Sequence, residues 1–211
     1  VEYVHEHRQC IVTQREAGVD TLTWEAALKN TLRQKPDVIL IGEIRDEMTM
    51  EYAINIAETG HLALATLHAN NANQAIDRVL SFFPQDQHRQ VLLNLGMNLR
   101  AIISQRLVQK DGGGRVAAIE ILLNQGLIRE LIRKGDVKEI KKVMAENEHN
   151  GMQTFDQALL KLYRDGQISE DTAMAEADNP SDLGLMIRQQ KAAGSEGGGG
   201  FEAMDTSTLS L

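Results

Sequence analysis

The chain has 211 residues, of which 42% are hydrophobic and 25% charged, with a formal net charge of -8. The length is enough for one domain or a domain with a small appendage, and the proportions are in the usual range of a soluble globular protein. No apolar run approaches the roughly 20 residues needed to span a bilayer; no basic patch points to nucleic acid; and the single cysteine, Cys10, excludes an internal disulfide and suits a reducing cytoplasm.

In chain order, Val1–Val4 and Cys10–Thr13 are two short strand-like runs around His5-Glu6-His7. Two histidines flanking a glutamate hint at metal, but no third ligand follows nearby, and a solvated loop is the reading adopted. The stretch from Asp20 to Arg33 reads as a helix, with Thr23 as N-cap and Trp24, Leu28 and Leu32 along one face. Pro36 then precedes Val38-Ile39-Leu40-Ile41, an unbroken apolar run that predicts a strand buried on both faces, as in a parallel sheet. Gly42 ends it, and Glu43, Arg45 and Asp46 follow, where an open α/β sheet places its ligand site. A helix over Thr49–Glu58, closed by Gly60, leads to a second apolar and central strand, Leu62–Leu67. Strand, helix, strand makes a βαβ unit, so the two strands should be parallel.

That geometry separates His61 from His68. His61 precedes the second strand and His68 follows it, so at about 3.3 Å per residue they lie more than about 20 Å apart. His68 shares the carboxyl rim with Glu43, whereas His61 belongs to the opposite rim as a structural or subunit-contact residue.

Farther on, Asn71–Phe83 is predicted helical and stopped by Pro84, and Gln87–Ser104 is predicted as a longer helix. Gln105–Gln109 and Val116–Leu123 read as hairpin strands joined through Gly112-Gly113-Gly114. This triple glycine is no phosphate loop, because neither Lys-Ser/Thr nor a helix follows it. From Gln125 the chain turns all-helical, with Thr154 as a cap, Gly166 as a stop, and two short helices opened by Ser169 and Ser181. From Ala192 small and polar residues predict a disordered tail over 192–211.

Several of these blocks resemble one family. Leu32–Asp46, reading LRQKPDVILIGEIRD, is similar to the Walker B signature of the secretion-type ATPases that drive type IV pili and type II secretion, and Thr59–Asn70 resembles their histidine box in matching order and spacing. VEYVH at the start resembles the end of their acidic box, Gln14-Arg15-Glu16 their QRE, and Gly151–Gln157 their GMQTFDQ helix start. Leu127–Arg133 is similar to the AIRNLIR segment of retraction motors, with Leu127 for alanine and Glu130 for asparagine. The family's extension and secretion members usually carry a tetracysteine zinc module, so one cysteine points to the retraction branch; within it, Leu64–Ala75 and the tail beyond Asp178 are more similar to the accessory form.

The resemblance covers roughly residues 1–190, and implies an α/β fold: the C-terminal part of a RecA-like parallel-sheet ATPase core over 1–124, then a helical region over 125–191. It implies ATP hydrolysis with Mg²⁺ in a hexameric ring, alone or with a paralogous motor ATPase, at the cytoplasmic face of the inner membrane against a pilus platform protein. Glu43 would orient or deprotonate water and support Mg²⁺ through it, His68 would contact the γ-phosphate region, and Arg45 and Asp46 would fix the loop. Arg129 and Arg133, four apart on one helix face, are either a motor-output contact or a solvated arginine face. No G-x-x-x-x-G-K-[ST] phosphate loop occurs, so the chain reads as the C-terminal part of a longer protein and should bind nucleotide poorly alone. The alternatives are a non-catalytic ring or interaction module, and a metal hydrolase, against which the scattered spacing of the six histidines speaks.

Overall fold

The fold was analysed in a computed structural model that describes residues 3–196. The chain forms two compact units: one runs up to Ile102 and includes Leu123–Val143, and the other joins Ile103–Leu122 to the chain from Met144 onward. Both draw on segments from either side of residue 124.

In the first unit, helix α1 (Trp24–Leu32) opens on Thr23, whose hydroxyl accepts the Ala26 N–H. Strand β1 (Val38–Ile41) leads into helix α2 (Glu47–Glu58). Asp46 and Thr49 form a reciprocal capping box at its start, satisfying two backbone donors that a helix N-terminus otherwise leaves open. Gly60, at φ +89°, turns the chain out of α2 into strand β2 (Leu62–Ala65). The strands pair in parallel, Val38 opposite Leu62 and Ile41 opposite Ala65, so the expected βαβ unit is present. Helix α3 (Ala72–Leu80) is capped by Asn71, and helix α4 (His88–Asn98) follows Pro84 and a short 3-10 turn. Helix α5 (Leu127–Lys134), ended by Gly135 at φ 78°, packs on α4, and helix α6 (Val137–Glu146) follows it.

The second unit is built on a hairpin of β3 (Ala101–Gln109) and β4 (Arg115–Leu123), turned through three consecutive glycines at φ 83°, 101° and 81°. Helices α7 (Phe155–Arg164), α8 (Glu170–Glu176) and α9 (Pro180–Glu196) complete it. Its core joins Val108 and Ala118 of the hairpin to Phe155, Leu159, Ile168, Leu183 and Ile187, all fully or almost fully buried.

Several expectations are corrected. The β1–β2 sheet is buried on one face only: Ile39 and Ile41 are buried, whereas Val38, Leu40, Leu62 and Leu64, which alternate to the other side, are exposed. β2 stops at Ala65 instead of Leu67, and is not central, because the sheet among the described residues has two strands. The helix expected over Gln87–Ser104 ends at Asn98. Leu99 turns extended, and the Asn124 side-chain amide, 25 to 29 residues away, donates to the carbonyls of Leu95, Gly96 and Leu99. This remote cap leaves Ile102 and Ile103, branched at Cβ and suited to a pleated strand, in β3.

The described part of the runs before Arg15 forms no strand. The Gln14 side chain instead accepts the His5 N–H at 2.7 Å and donates to the Tyr3 carbonyl at 2.8 Å, in place of ladder bonds. Helix α9 is one long helix that starts at Pro180 rather than at Ser181. Proline suits a first helical position, and the Asn179 carboxamide oxygen accepts the Asp182 N–H. Residues 192–196, expected in a disordered tail, belong to this helix; the rest of that expected tail, 197–211, lies outside the described residues.

Candidate functional site

β1 ends at Ile41 and the chain bends at Gly42, which delivers Glu43 to the carboxyl end of the parallel pair. Past the last ladder partners, the Ile44 N–H donates to the Thr66 carbonyl at 2.9 Å, and the Thr66 hydroxyl donates to the Gly42 carbonyl. Two residues after Thr66, His68 Nε2 reaches Glu43 Oε1 at 2.9 Å. A carboxylate only accepts, so the imidazole is the donor of this contact. Arg45 binds the other oxygen: its Nε and Nη2 lie 2.6 Å and 2.5 Å from Glu43 Oε2.

These contacts set the electrostatics of Glu43. The hydrogen bond from Arg45 is the largest influence and holds the carboxyl below its ordinary value; desolvation opposes it, and the charges of Arg45 and His68 add to the lowering. Glu43 is therefore ionised at neutral pH, a stable anion gripped on both oxygens. Asp46 is also held low, first by the Thr49 backbone N–H and then by its hydroxyl, because its carboxylate is occupied as a helix cap.

His61 stands at the other end of β2, where its Nδ1 lies 3.0 Å from the Thr59 hydroxyl. The two histidines of the box are thus placed at opposite ends of one strand, and only His68 meets Glu43. Arg129 and Arg133 lie on α5, away from this cluster in sequence. Arg129 Nη2 reaches the Asn124 carbonyl at 3.5 Å, and Arg133 pairs with Glu130 at 3.5 Å. The stem of Arg133 crosses α4 at Gly96, where a Cβ would come within 2.3 Å of its Cγ. Both arginines are exposed, and each also touches the C-terminal end of α4 or the residue capping it. His5 and His7 lie exposed in the N-terminal segment, where His7 Nδ1 accepts the Val12 N–H.

Sequence reasoning missed Thr66, Asn124 and Gly96. Thr66 was inside a recognised block, and its threonine hydroxyl at the end of a strand was the available signal; Gly96 was visible as a glycine inside a helical pattern.

Chemically, the cluster supplies one ionised carboxylate and one imidazole at a strand's carboxyl rim. That set fits one side of a terminal phosphate, with an acceptor for a water proton and a donor for an oxygen. The 211 residues hold no phosphate loop, and among the described residues no three His, Cys, Asp or Glu side chains converge to hold a metal ion. The grip on the phosphates is not supplied by these residues.

The chain is similar to known secretion and pilus motors. The chain is 58% identical over 189 residues to the type IV pilus ATPase PilU of Pseudomonas aeruginosa, covering 89% of the chain and 50% of that protein. It is 43% identical over 183 residues to the type IV pilus retraction ATPase PilT of the same organism, covering 87% of the chain and 53% of that protein. The crystal structure of the pilus retraction motor PilT with bound ADP superposes with a TM-score of 0.78 at 44% identity, covering 88% of this chain and 52% of that one. The chain thus spans about half the length of the curated relatives it matches. With the family described as "Type II/IV secretion system protein" matching residues 1–174, the chain belongs to that family of secretion and pilus ATPases, and its mixed fold is part of their RecA-like core followed by helices.

Proposed function

We propose that the full-length protein carrying this chain is a type IV pilus retraction motor, similar in kind to the accessory motor PilU, that couples ATP hydrolysis in a hexameric ring to pilus disassembly and twitching motility. It works at the cytoplasmic face of the inner membrane, against a platform protein, as a homo-hexamer or beside a paralogous motor ATPase. The relatives' names support the pilus assignment. The observation that carries the chemistry is the 2.9 Å contact of His68 with Glu43 at the carboxyl end of β1 and β2.

Bound ATP with Mg²⁺ supplies the scissile phosphoanhydride and the compensation of its charge. Glu43 orients a water and accepts the proton that water gives up on attack, and it is the residue of this chain that would help hold Mg²⁺. Its Oε2 is committed to Arg45 through two donors, whereas among the described residues Oε1 meets the exposed imidazole of His68 alone. His68 is therefore the partner that turns toward a phosphate oxygen and releases Oε1 for water. Arg45 and Asp46 hold the loop, one by pinning the carboxylate and the other by capping α2. His61 serves packing or a subunit contact. Arg129 and Arg133, through α5 and α4, pass motion onward.

In the full-length protein, Glu43→Gln should lower turnover by about 10²–10⁴-fold while nucleotide binding survives. Turnover close to wild type in that variant refutes the assignment. The isolated chain, whose sequence has no phosphate loop, should release no phosphate from ATP above background; steady release that disappears in Glu43→Gln would favour an autonomous enzyme instead.

A further inference from the structure

We propose that Thr66 is a positioning residue for the reaction, fixing the backbone on both sides of Glu43 so that the carboxylate is presented in one orientation. The inference rests on the reading of Glu43 as the group that handles the attacking water.

The parallel ladder ends at the pair Ile41–Ala65. Beyond it β1 bends at Gly42, and an unpaired loop would let residue 43 rotate. Thr66 prevents this with two bonds. Its hydroxyl donates to the carbonyl of Gly42, and its own carbonyl accepts the N–H of Ile44 at 2.9 Å. The peptide groups before and after Glu43 are thereby tied to a single residue on the neighbouring strand. The hydroxyl takes the place of the backbone donor that the ladder no longer provides.

The same short segment also controls the Glu43 side chain. Two residues after Thr66, His68 meets Glu43 Oε1 at 2.9 Å. A shift of the Thr66 backbone therefore moves the turn and the imidazole together. The bend at Gly42 is not explained by crowding, since a Cβ at Gly42 would meet nothing within 4 Å. What fixes the turn is the pair of bonds to Thr66. Misplacement of a reacting group by about 1 Å costs up to about a hundredfold in rate, so a bond that fixes such a turn is worth a measurable factor.

The test uses the full-length protein with three variants: Thr66→Val, which keeps the shape and loses the hydroxyl, Thr66→Ser, which keeps the hydroxyl, and Glu43→Gln as the reference. Thr66→Val should lower kcat for ATP by about tenfold or more with KM unchanged, and Thr66→Ser should restore kcat. Hydrogen exchange at the Ile44 amide should quicken in Thr66→Val and stay slow in Thr66→Ser. Wild-type kcat in Thr66→Val, with Glu43→Gln inactive, overturns the positioning role alone. A Thr66→Ser protein as slow as Thr66→Val also overturns it, since the loss would then follow the methyl group. If Glu43→Gln turns over normally, the reading of Glu43 fails and the proposal fails with it. Should Thr66→Val not fold, Thr66→Ser remains decisive: slow turnover with a protected Ile44 amide overturns the proposal.

Discussion

Two clusters in this chain cover their carboxylates to a similar degree and differ in how far the groups that bind them are exposed. In the second unit, Arg106 Nη2 binds Asp178 Oδ1 at 2.6 Å, and its Nη1 donates to the Glu176 carbonyl at 3.0 Å, while the guanidinium lies 4.1 Å above the Phe155 ring. The Asp178 side chain is 16% exposed and that of Arg106 is 23% exposed. At the β1–β2 rim, the Glu43 side chain is 22% exposed, but its partners Arg45 and His68 are 77% and 88% exposed. A cation sealed between a ring, a carbonyl and a carboxylate cannot leave without stranding charge, so it holds structure. A partner reaching in from solvent through one contact, as the His68 imidazole does, can be exchanged for another at little cost, as chemistry at a carboxylate requires.

The largest effect should come from the sealed cluster. Arg106→Ala takes the cation from a mostly covered Asp178 and uncovers a ring face, and should cost about 3 kcal/mol in urea unfolding, with no change in the Glu43 titration. A loss near zero would place Arg106 among the exchangeable partners and remove the contrast. Arg133 lies between the two types, half-exposed at its head with its stem seated in the Gly96 notch. Gly96→Ala should force that stem and α5 away from α4 and cost about 1–3 kcal/mol. Restored stability in Gly96→Ala with Arg133→Ala, measured as a double-mutant cycle, would attribute the cost to this contact.

Smaller effects belong to the rim. Asp46→Ala removes the cap of α2 and should cost about 1 kcal/mol at neutral pH. The folded-state carboxyl is held below its ordinary 3.8, so its contribution is present above that value and is lost as pH falls through the folded one. The variant should accordingly show a shallower acid limb in its stability profile, and an identical limb would mean the cap is not carrying charge. The smallest change in stability is expected from Arg45→Ala. Its unfolding midpoint should stay at the wild-type value, while the Glu43 carboxyl, read by carbon NMR, should titrate higher, toward its ordinary 4.5, because the strongest lowering contact is gone. An unchanged Glu43 titration would show that Arg45 does not grip the carboxylate.

Local hydrogen bonding was legible before the fold was known. Thr23 and Thr154 as helix caps, Gly60 and Gly166 as stops, and the three glycines of the hairpin turn all act on partners within a few residues, so type and spacing carry the whole signal. The placement of His68 with Glu43 and of His61 at the far end of β2 was legible for a similar reason: an extended strand has a fixed rise, and a βαβ connection has a fixed sense. The boundary of α4 was not. Its stop is written in Asn124, at the end of a strand that reaches it only after folding.

By itself, the sequence determined the apolar strands, the capped helices between them, the rim that carries Glu43, and the family to which those blocks belong. Tertiary structure decided which apolar face is covered, since Val38 and Leu40 are as hydrophobic as Ile39 and Ile41 but lie on the other side of the pleat. It also decided which polar residues act together. The bond from Thr66 to Gly42 spans 24 residues and that from Arg106 to Asp178 spans 72. Hydrophobic periodicity repeats along the chain and so survives in one dimension; a single hydroxyl or guanidinium meeting a remote partner has no period, and only the folded backbone brings the two within bonding distance.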